Sequence, residues 1–296
     1  MTMTTTNHIE AFRVAMLDAG IQPPAVIDAD GRIHRFHIEG DKRGTRNGWY
    51  LLHLDGRAAG AFGSWKAGFT STWAADGEPM SRAEREAFRV MLENARKRAD
   101  AERRAEHEAR ATVARAEWAQ AGPADPAHPY LLAKGVQPHT LRQIGDTLIV
   151  PLFDAFGLLW NVQRIQPDGT KRFRPGRAGG LYSTVGDLTD PKTILICEGW
   201  ATGATLHQET GHPVLCAMNA GNLKPVALAA CEAWRGVLDT VICADNDRFT
   251  PGNPGITKAT EAAKAIGARL AVPQFPDGAT GTDFNDLAAL LRKGGA

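Results

Sequence analysis

From Thr193 onward the chain alternates short apolar runs with Ala-rich segments of helical spacing. The runs "TILICEGW", "PVLCAMNA", "TVICADND" and "ARLAVPQFP" are separated by "ATGATLHQET", "LKPVALAACEAW" and "GITKATEAAKAIG", and "DFNDLAALLRKG" closes the series. Strands alternating with helices predict a parallel sheet with helices on its faces. In such sheets ligands bind outside the carboxyl ends of the strands. The acids fall there. Glu198 ends the first strand, Asp245 and Asp247 end the third, and Asp283 and Asp286 lie in "TGTDFND". Two Asp residues one apart in an extended segment point to the same side. Taken alone, an acid after a strand is more often a cap or turn residue than a functional one. Together on one rim they would repel unless a divalent cation neutralised them. Mg²⁺ takes few protein carboxylates and keeps positions for phosphate oxygens.

The 296 residues suffice for two or three domains, and 43% hydrophobic content supports a core. Lys plus Arg number 34 against 33 for Asp plus Glu, so net charge alone does not indicate nucleic acid. No apolar run reaches the ~18 residues of a membrane span, and "MTMTTTNHIEAF" lacks the basic-then-apolar order of a signal peptide. A cytoplasmic protein without membrane partners is expected. Cys197, Cys216, Cys231 and Cys243 form no CxxC pair. They are read as inert core thiols, not zinc ligands.

Residues 7–19 have helical spacing, with Ile9, Phe12, Met16 and Leu17 on one side, Asn7 as N-cap and Gly20 as stop. Residues 21–75 alternate short runs with "DG" and "GDKRGTRNG", which is hairpin chemistry. From Ser81 to Ala121 the chain is rich in Ala, Glu and Arg without Gly or Pro. This predicts one or two long, mostly solvated helices with i,i+4 charge pairs, read as a spacer. The prolines of "GPADPAHPY" mark a boundary. The predicted architecture is α+β and multidomain. It comprises a small antiparallel β domain (1–77), a charged helical linker (78–122), an α+β basic subdomain (123–190) and an α/β domain with a mainly parallel sheet (191–296).

The segment "QRIQPDGTKRFRPGRAGGLY" carries Arg164, Lys171, Arg172, Arg174 and Arg177 against one acid, Asp168. Such a run is usually a solvated surface. Beside a metal-dependent site it becomes a cradle for phosphates. In the β domain Trp49, Tyr50, Phe62, Trp65, Phe69 and Trp73 lie among Arg43, Arg46, Arg57 and Lys66. Aromatic faces with basic neighbours suit single-stranded DNA, although most of these rings equally suit a small β core.

"CEGWATGATL", "CADND" and "DFNDL" together resemble the motifs of the Toprim domain over residues 191–290. The resemblance implies that Glu198, Asp245 and Asp247 hold Mg²⁺ or Mn²⁺ in a two-metal site that Asp283 and Asp286 complete. "HPYLLAKGV" and the basic segment resemble the catalytic core of bacterial-type, phage and mobile-element primases. No Cys precedes residue 197, so the zinc ribbon of replicative primases has no ligand set here. The resemblance implies primer synthesis on single-stranded DNA from nucleoside triphosphates. Arg164, Lys171, Arg172, Arg174 and Arg177 would hold phosphates, with Arg43, Arg46, Trp65 and Lys66 as template contacts. A Toprim nuclease and a non-catalytic single-stranded-DNA adaptor remain as alternatives. No GxxxxGK[ST] loop occurs, so a replicative helicase would be a separate or fused partner.

Overall fold

The computed structural model describes residues 3–75, 81–234 and 239–294. It divides into two units, Met1–Ala105 and Glu106–Ala296. In the first, helix α1 (Met3–Asp18) precedes a four-stranded antiparallel meander. Its strands are β1 (His34–Phe36), β2 (Gly48–His53), β3 (Ala59–Ser64) and β4 (Phe69–Ala74). Side chains alternate across the sheet. Tyr50, Leu52 and Phe62 pack with Phe12 and Met16 of α1. Trp49, Leu51, Ala59 and Ala61 pack with Phe88 and Ala95 on the other face. Asn7 lies inside α1 and is not its cap, and Leu17 is exposed.

Phe88 and Ala95 belong to α2 (Arg82–Gln120), one continuous helix. It starts with a reciprocal capping box in which the Glu84 N–H donates to Ser81 Oγ (3.2 Å) and the Ser81 N–H donates to the Glu84 carboxylate (2.7 Å). The helix is more than a solvated spacer. Its last turns place Ala114 and Trp118 against Ile149, Leu159 and Val162 of the second unit's core.

The second unit opens with β5 (Gly122–Pro123) and α3 (Pro129–Lys134), then β6 (Arg142–Ile144), β7 (Thr147–Phe153), β8 (Leu159–Ile165) and β9 (Lys171–Phe173). The strands form an antiparallel meander in sequence order. Next come β10 (Ser183–Val185), β11 (Thr193–Cys197), α4 (Trp200–Thr210), β12 (Val214–Cys216), α5 (Leu223–Ala233), β13 (Asp239–Cys243), α6 (Pro254–Ile266), β14 (Arg269–Ala271) and α7 (Phe284–Gly294). Their sheet has the order β10-β12-β11-β13-β14, parallel except for the edge strand β10. Ile194, Ile196, Leu215 and Ile242 face α5 and α6. On the other face Leu195, Cys197 and Trp200 share one core with Tyr130, Leu131, Leu148, Val150 and Ile165 of the meander. The basic strand β9 and the parallel sheet therefore belong to one packed body. Cys197, Cys216 and Cys243 are buried, whereas Cys231 on α5 is exposed and is not a core thiol. Among the described residues no helix is long and apolar enough to cross a membrane.

Candidate functional site

The rim is set by register. Cys197 of β11 pairs with Cys243 of β13, so Glu198 and Asp245 leave adjacent parallel strands at the same end. The third acidic segment is held there by the backbone, because the Asn246 N–H donates to the Thr282 carbonyl (2.7 Å). Thr202, in the first turn of α4, donates to Asp283 Oδ2 (3.2 Å). Acids distant in sequence thus meet at one carboxyl edge.

Two glycines permit this closeness. A Cβ at Gly203 would overlap the Cys216 sulfur, so only glycine lets α4 lie so close on the sheet. A Cβ at Gly255 would overlap the Asp245 carbonyl oxygen. Its absence lets the start of α6 approach, and the Gly255 N–H donates to Asp247 Oδ2 (2.8 Å). That is an N-terminal helix amide meeting a carboxylate. Asn253 caps α6 through Ile256 and ties to Asn246 (2.9 Å), which fixes the loop after the Asp-x-Asp pair.

The electrostatics are those of crowded, partly desolvated acids. Burial, then Glu198, Asp283, Asp247 and Asp286, pushes Asp245 up to about 8. Burial and Asp247 also raise Glu198, opposed by the Ala220 N–H and Lys171. Asp245 Oδ1 is buried with no hydrogen-bond partner. Asp283 and Asp286 also have local duties. Asp283 Oδ1 accepts from the Asp286 N–H (2.8 Å), and Asp286 Oδ2 accepts from the Thr282 N–H (3.0 Å), which together close the start of α7.

The donor set fits a divalent cation. Its ligands are hard oxygens, one buried carboxylate oxygen lacks a partner, and the acids repel each other without a counter-charge. Among the described residues no three His, Cys, Asp or Glu side chains converge tightly enough to cage an ion.

Strand alternation splits the basic segment. Lys171 lies opposite Ile165, on the core side of the meander, and Arg172 lies opposite Arg164 on the other face. Lys171 Nζ sits 5.5 Å from the Tyr130 ring centroid. The surrounding protein lowers its pKa, while Asp283, Asp245 and Glu198 raise it, so Lys171 faces the acids. It remains solvent-accessible. Arg164 and Arg174 instead pair with the buried carboxylate of Glu117, Arg164 at 2.6 Å. Arg177 stacks over Trp160 (5.1 Å). The structure therefore brings one of the five basic residues, Lys171, to the acids.

In the N-terminal unit Trp49, Tyr50 and Phe62 are core residues, whereas Trp65 is 49% exposed. Lys66 is tied to Asp41 (2.5 Å). Arg43 and Arg46 are exposed on the loop between β1 and β2.

Sequence reasoning missed the joints. Tyr130 is buried beneath Lys171 with an unpartnered hydroxyl, and burial pushes its pKa up to about 12. Asn285 is buried and donates to Thr205 (2.8 Å) and the Lys134 carbonyl (2.7 Å), which joins α7, α4 and α3. Asn222 holds the Leu181 and Ala217 carbonyls and the Gly180 N–H. Its place inside the "DFNDL" motif was the signal for Asn285.

Residues 193–295 match the Toprim domain family. Over a longer stretch the chain is similar to DNA primase TraC of Escherichia coli, 38% identical over 263 residues, covering 84% of this chain and 24% of that protein. A second DNA primase TraC of Escherichia coli is 35% identical over 300 residues, covering 95% of this chain and 20% of that protein. The chain thus spans a quarter or less of these relatives. Among solved structures, the primase fragment of the bacteriophage T7 primase-helicase protein aligns with a TM-score of 0.42 at 18% identity, covering 54% of this chain and 69% of that one.

Proposed function

We propose that this chain synthesises short primers on single-stranded DNA by metal-dependent nucleotidyl transfer. The observation that carries the reading is the meeting of Glu198, Asp245, Asp247 and Asp283 at one carboxyl rim, with Lys171 from a different sheet facing them. The Toprim match and the likeness to DNA primase TraC support it.

Glu198, Asp245, Asp247 and Asp283 would hold Mg²⁺ or Mn²⁺. When bound, the metal supplies the positive charge that offsets the developing phosphate negativity and lowers the pKa of a bound hydroxyl. Lys171 would contribute a cation to triphosphate oxygens. In the alternative arrangement Glu198 would not ligate the metal but would accept a proton from the attacking hydroxyl. Catalysis is then mostly positioning and charge stabilisation. Arg172 supplies an exposed phosphate contact on the outer face, while Arg164 and Arg174 are assigned to holding α2 through Glu117. Strand separation is assigned to a helicase motor outside these 296 residues.

The test is primer synthesis on single-stranded DNA with labelled nucleoside triphosphates and Mg²⁺ or Mn²⁺, with wild type beside Asp245→Ala. Short products from wild type alone are expected. A folded, fully active Asp245→Ala protein would sink the assignment. Metal-dependent loss of the DNA without products would move the reading to a nuclease. DNA binding with neither activity would move it to an adaptor.

A further inference from the structure

The cations of the N-terminal unit are layered with aromatic rings. Arg35 on β1 pairs in register with Trp49 on β2, so both lie on the sheet face covered by α2. Trp49 and Trp65 stack with centroids 5.8 Å apart and planes 30° from parallel. The Arg35 guanidinium sits 4.5 Å from the Trp65 ring, and that of Arg96, on α2, sits 5.7 Å from Trp49. The order is Arg35, Trp65, Trp49, Arg96. Two hydrogen bonds to the Arg46 carbonyl, from Nε (3.1 Å) and from a terminal nitrogen (2.8 Å), hold Arg35 in place.

Two further guanidinium groups neighbour Arg35. Burial, then Arg103 and Arg46, lowers the Arg35 pKa, so three guanidinium groups lie near one another. Arg103 pairs with Asp100 (2.5 Å), and the nearby acid Asp41 is occupied by Lys66 and Asn47. No carboxylate is paired with Arg35, Arg46 or Arg96 among the described residues. Guanidinium planes layered with aromatic rings, left without counter-anions, fit a ligand that alternates flat bases with phosphates. A folded peptide with a few acids would not use the stack. A duplex would hide its base faces.

We propose that Arg35, Trp65, Arg46 and Arg96 form a docking surface for single-stranded nucleic acid, separate from the acidic rim. Phosphates lie along Arg46 and Arg96, and an unpaired base lies against the Arg35–Trp65 edge. The surface deepens the primase reading, since it would hold template, but its chemistry is independent of metal and nucleotide.

The experiment is fluorescence anisotropy of a labelled oligothymidylate with the full chain in EDTA, over a series of salt concentrations. Wild type is compared with the Arg35→Glu/Arg96→Glu double variant and with Arg46→Glu, whose exposed side chain makes no hydrogen bond or ion pair among the described residues. The double variant is expected to lose at least about tenfold in affinity. Its log–log salt slope should shrink by about 0.7, the value for one phosphate contact on a single strand, because Arg96 faces a phosphate and Arg35 a base. Arg46→Glu should lower the affinity in the same direction. Arg35→Lys keeps the charge but not the plane, and should weaken binding with little change of slope. Unchanged affinity and slope in both charge-reversal variants would overturn the surface. So would competition by duplex DNA as effective as by single strands. Primer synthesis by wild type, measured separately, distinguishes the two ideas. Products with binding indifferent to these variants leave the primase reading and remove the surface, and variant-sensitive binding without products does the reverse.

Discussion

In metal-free protein Asp245→Asn should increase stability while it abolishes activity. The Asp245 carboxyl is pushed from its ordinary 3.8 to about 8 by burial and four neighbouring acids. At ~1.36 kcal/mol per pH unit, keeping it ionised at pH 8 costs up to about 5 kcal/mol. Relaxation and water entry at a rim position reduce this to roughly 2–3 kcal/mol. For a domain the size of the second unit, ~2–4 °C of Tm accompanies each kcal/mol, so the variant should melt roughly 4–12 °C higher. The sign follows from linkage. A carboxyl whose folded pKa is raised destabilises the protein as pH climbs from the unfolded value near 3.8 to the folded value near 8. The wild type therefore loses stability across that window and the Asn variant does not. The assay is thermal unfolding in EDTA at pH 5, 6, 7 and 8.5. The gap should be small at pH 5, widen to pH 8.5, and close when Mn²⁺ is added to wild type. A variant no more stable than wild type at pH 8.5, or a gap independent of pH, would refute the reasoning.

Two further substitutions probe what holds the site. Gly203→Ala places a methyl group into the Cys216 sulfur. It should destabilise by about 1–3 kcal/mol, the usual cost of overpacking, read by urea unfolding, with primer synthesis falling because α4 carries Thr202 against Asp283. Glu117→Gln leaves Arg164 and Arg174 without their carboxylate. Because Arg164 is partly exposed, the expected loss is about 1–2 kcal/mol at neutral pH. Burial would raise the Glu117 pKa, but hydrogen bonds from the two arginines outweigh it and hold it below its ordinary 4.5. Its stabilisation is thus complete above that value and lost as pH falls through the lower folded one. The difference between wild type and Glu117→Gln should vanish in acid.

The sequence predicted the class of the C-terminal sheet because period and punctuation are local properties. Apolar runs of strand length, each followed by a helical stretch, have few other ways to bury themselves. The acids that close two of those strands, Glu198 and Asp245, are legible for the same reason, since position in the strand fixes the rim on which a residue emerges. The extent of α2 was also within reach, because nothing between Arg82 and Gln120 breaks a helix.

What local reading did not supply is which face a charged residue presents and what it meets. The basic run looked like one cradle, yet pleating sends Lys171 toward the acids and Arg164 toward Glu117, a residue 47 positions away. The same limit hid Tyr130, Asn285, Arg35 and Arg96, whose partners lie on other elements. The packing of α2 was hidden likewise. Its composition is that of a solvated helix, and only two sheets offering apolar faces turn Phe88, Ala95 and Ala114 into core. By itself the sequence determined the elements, their order and the rim on which the acids stand. The tertiary structure alone decided the partnerships, because a side chain's charge state and role depend on what is packed against it, and packing joins residues that the chain holds far apart.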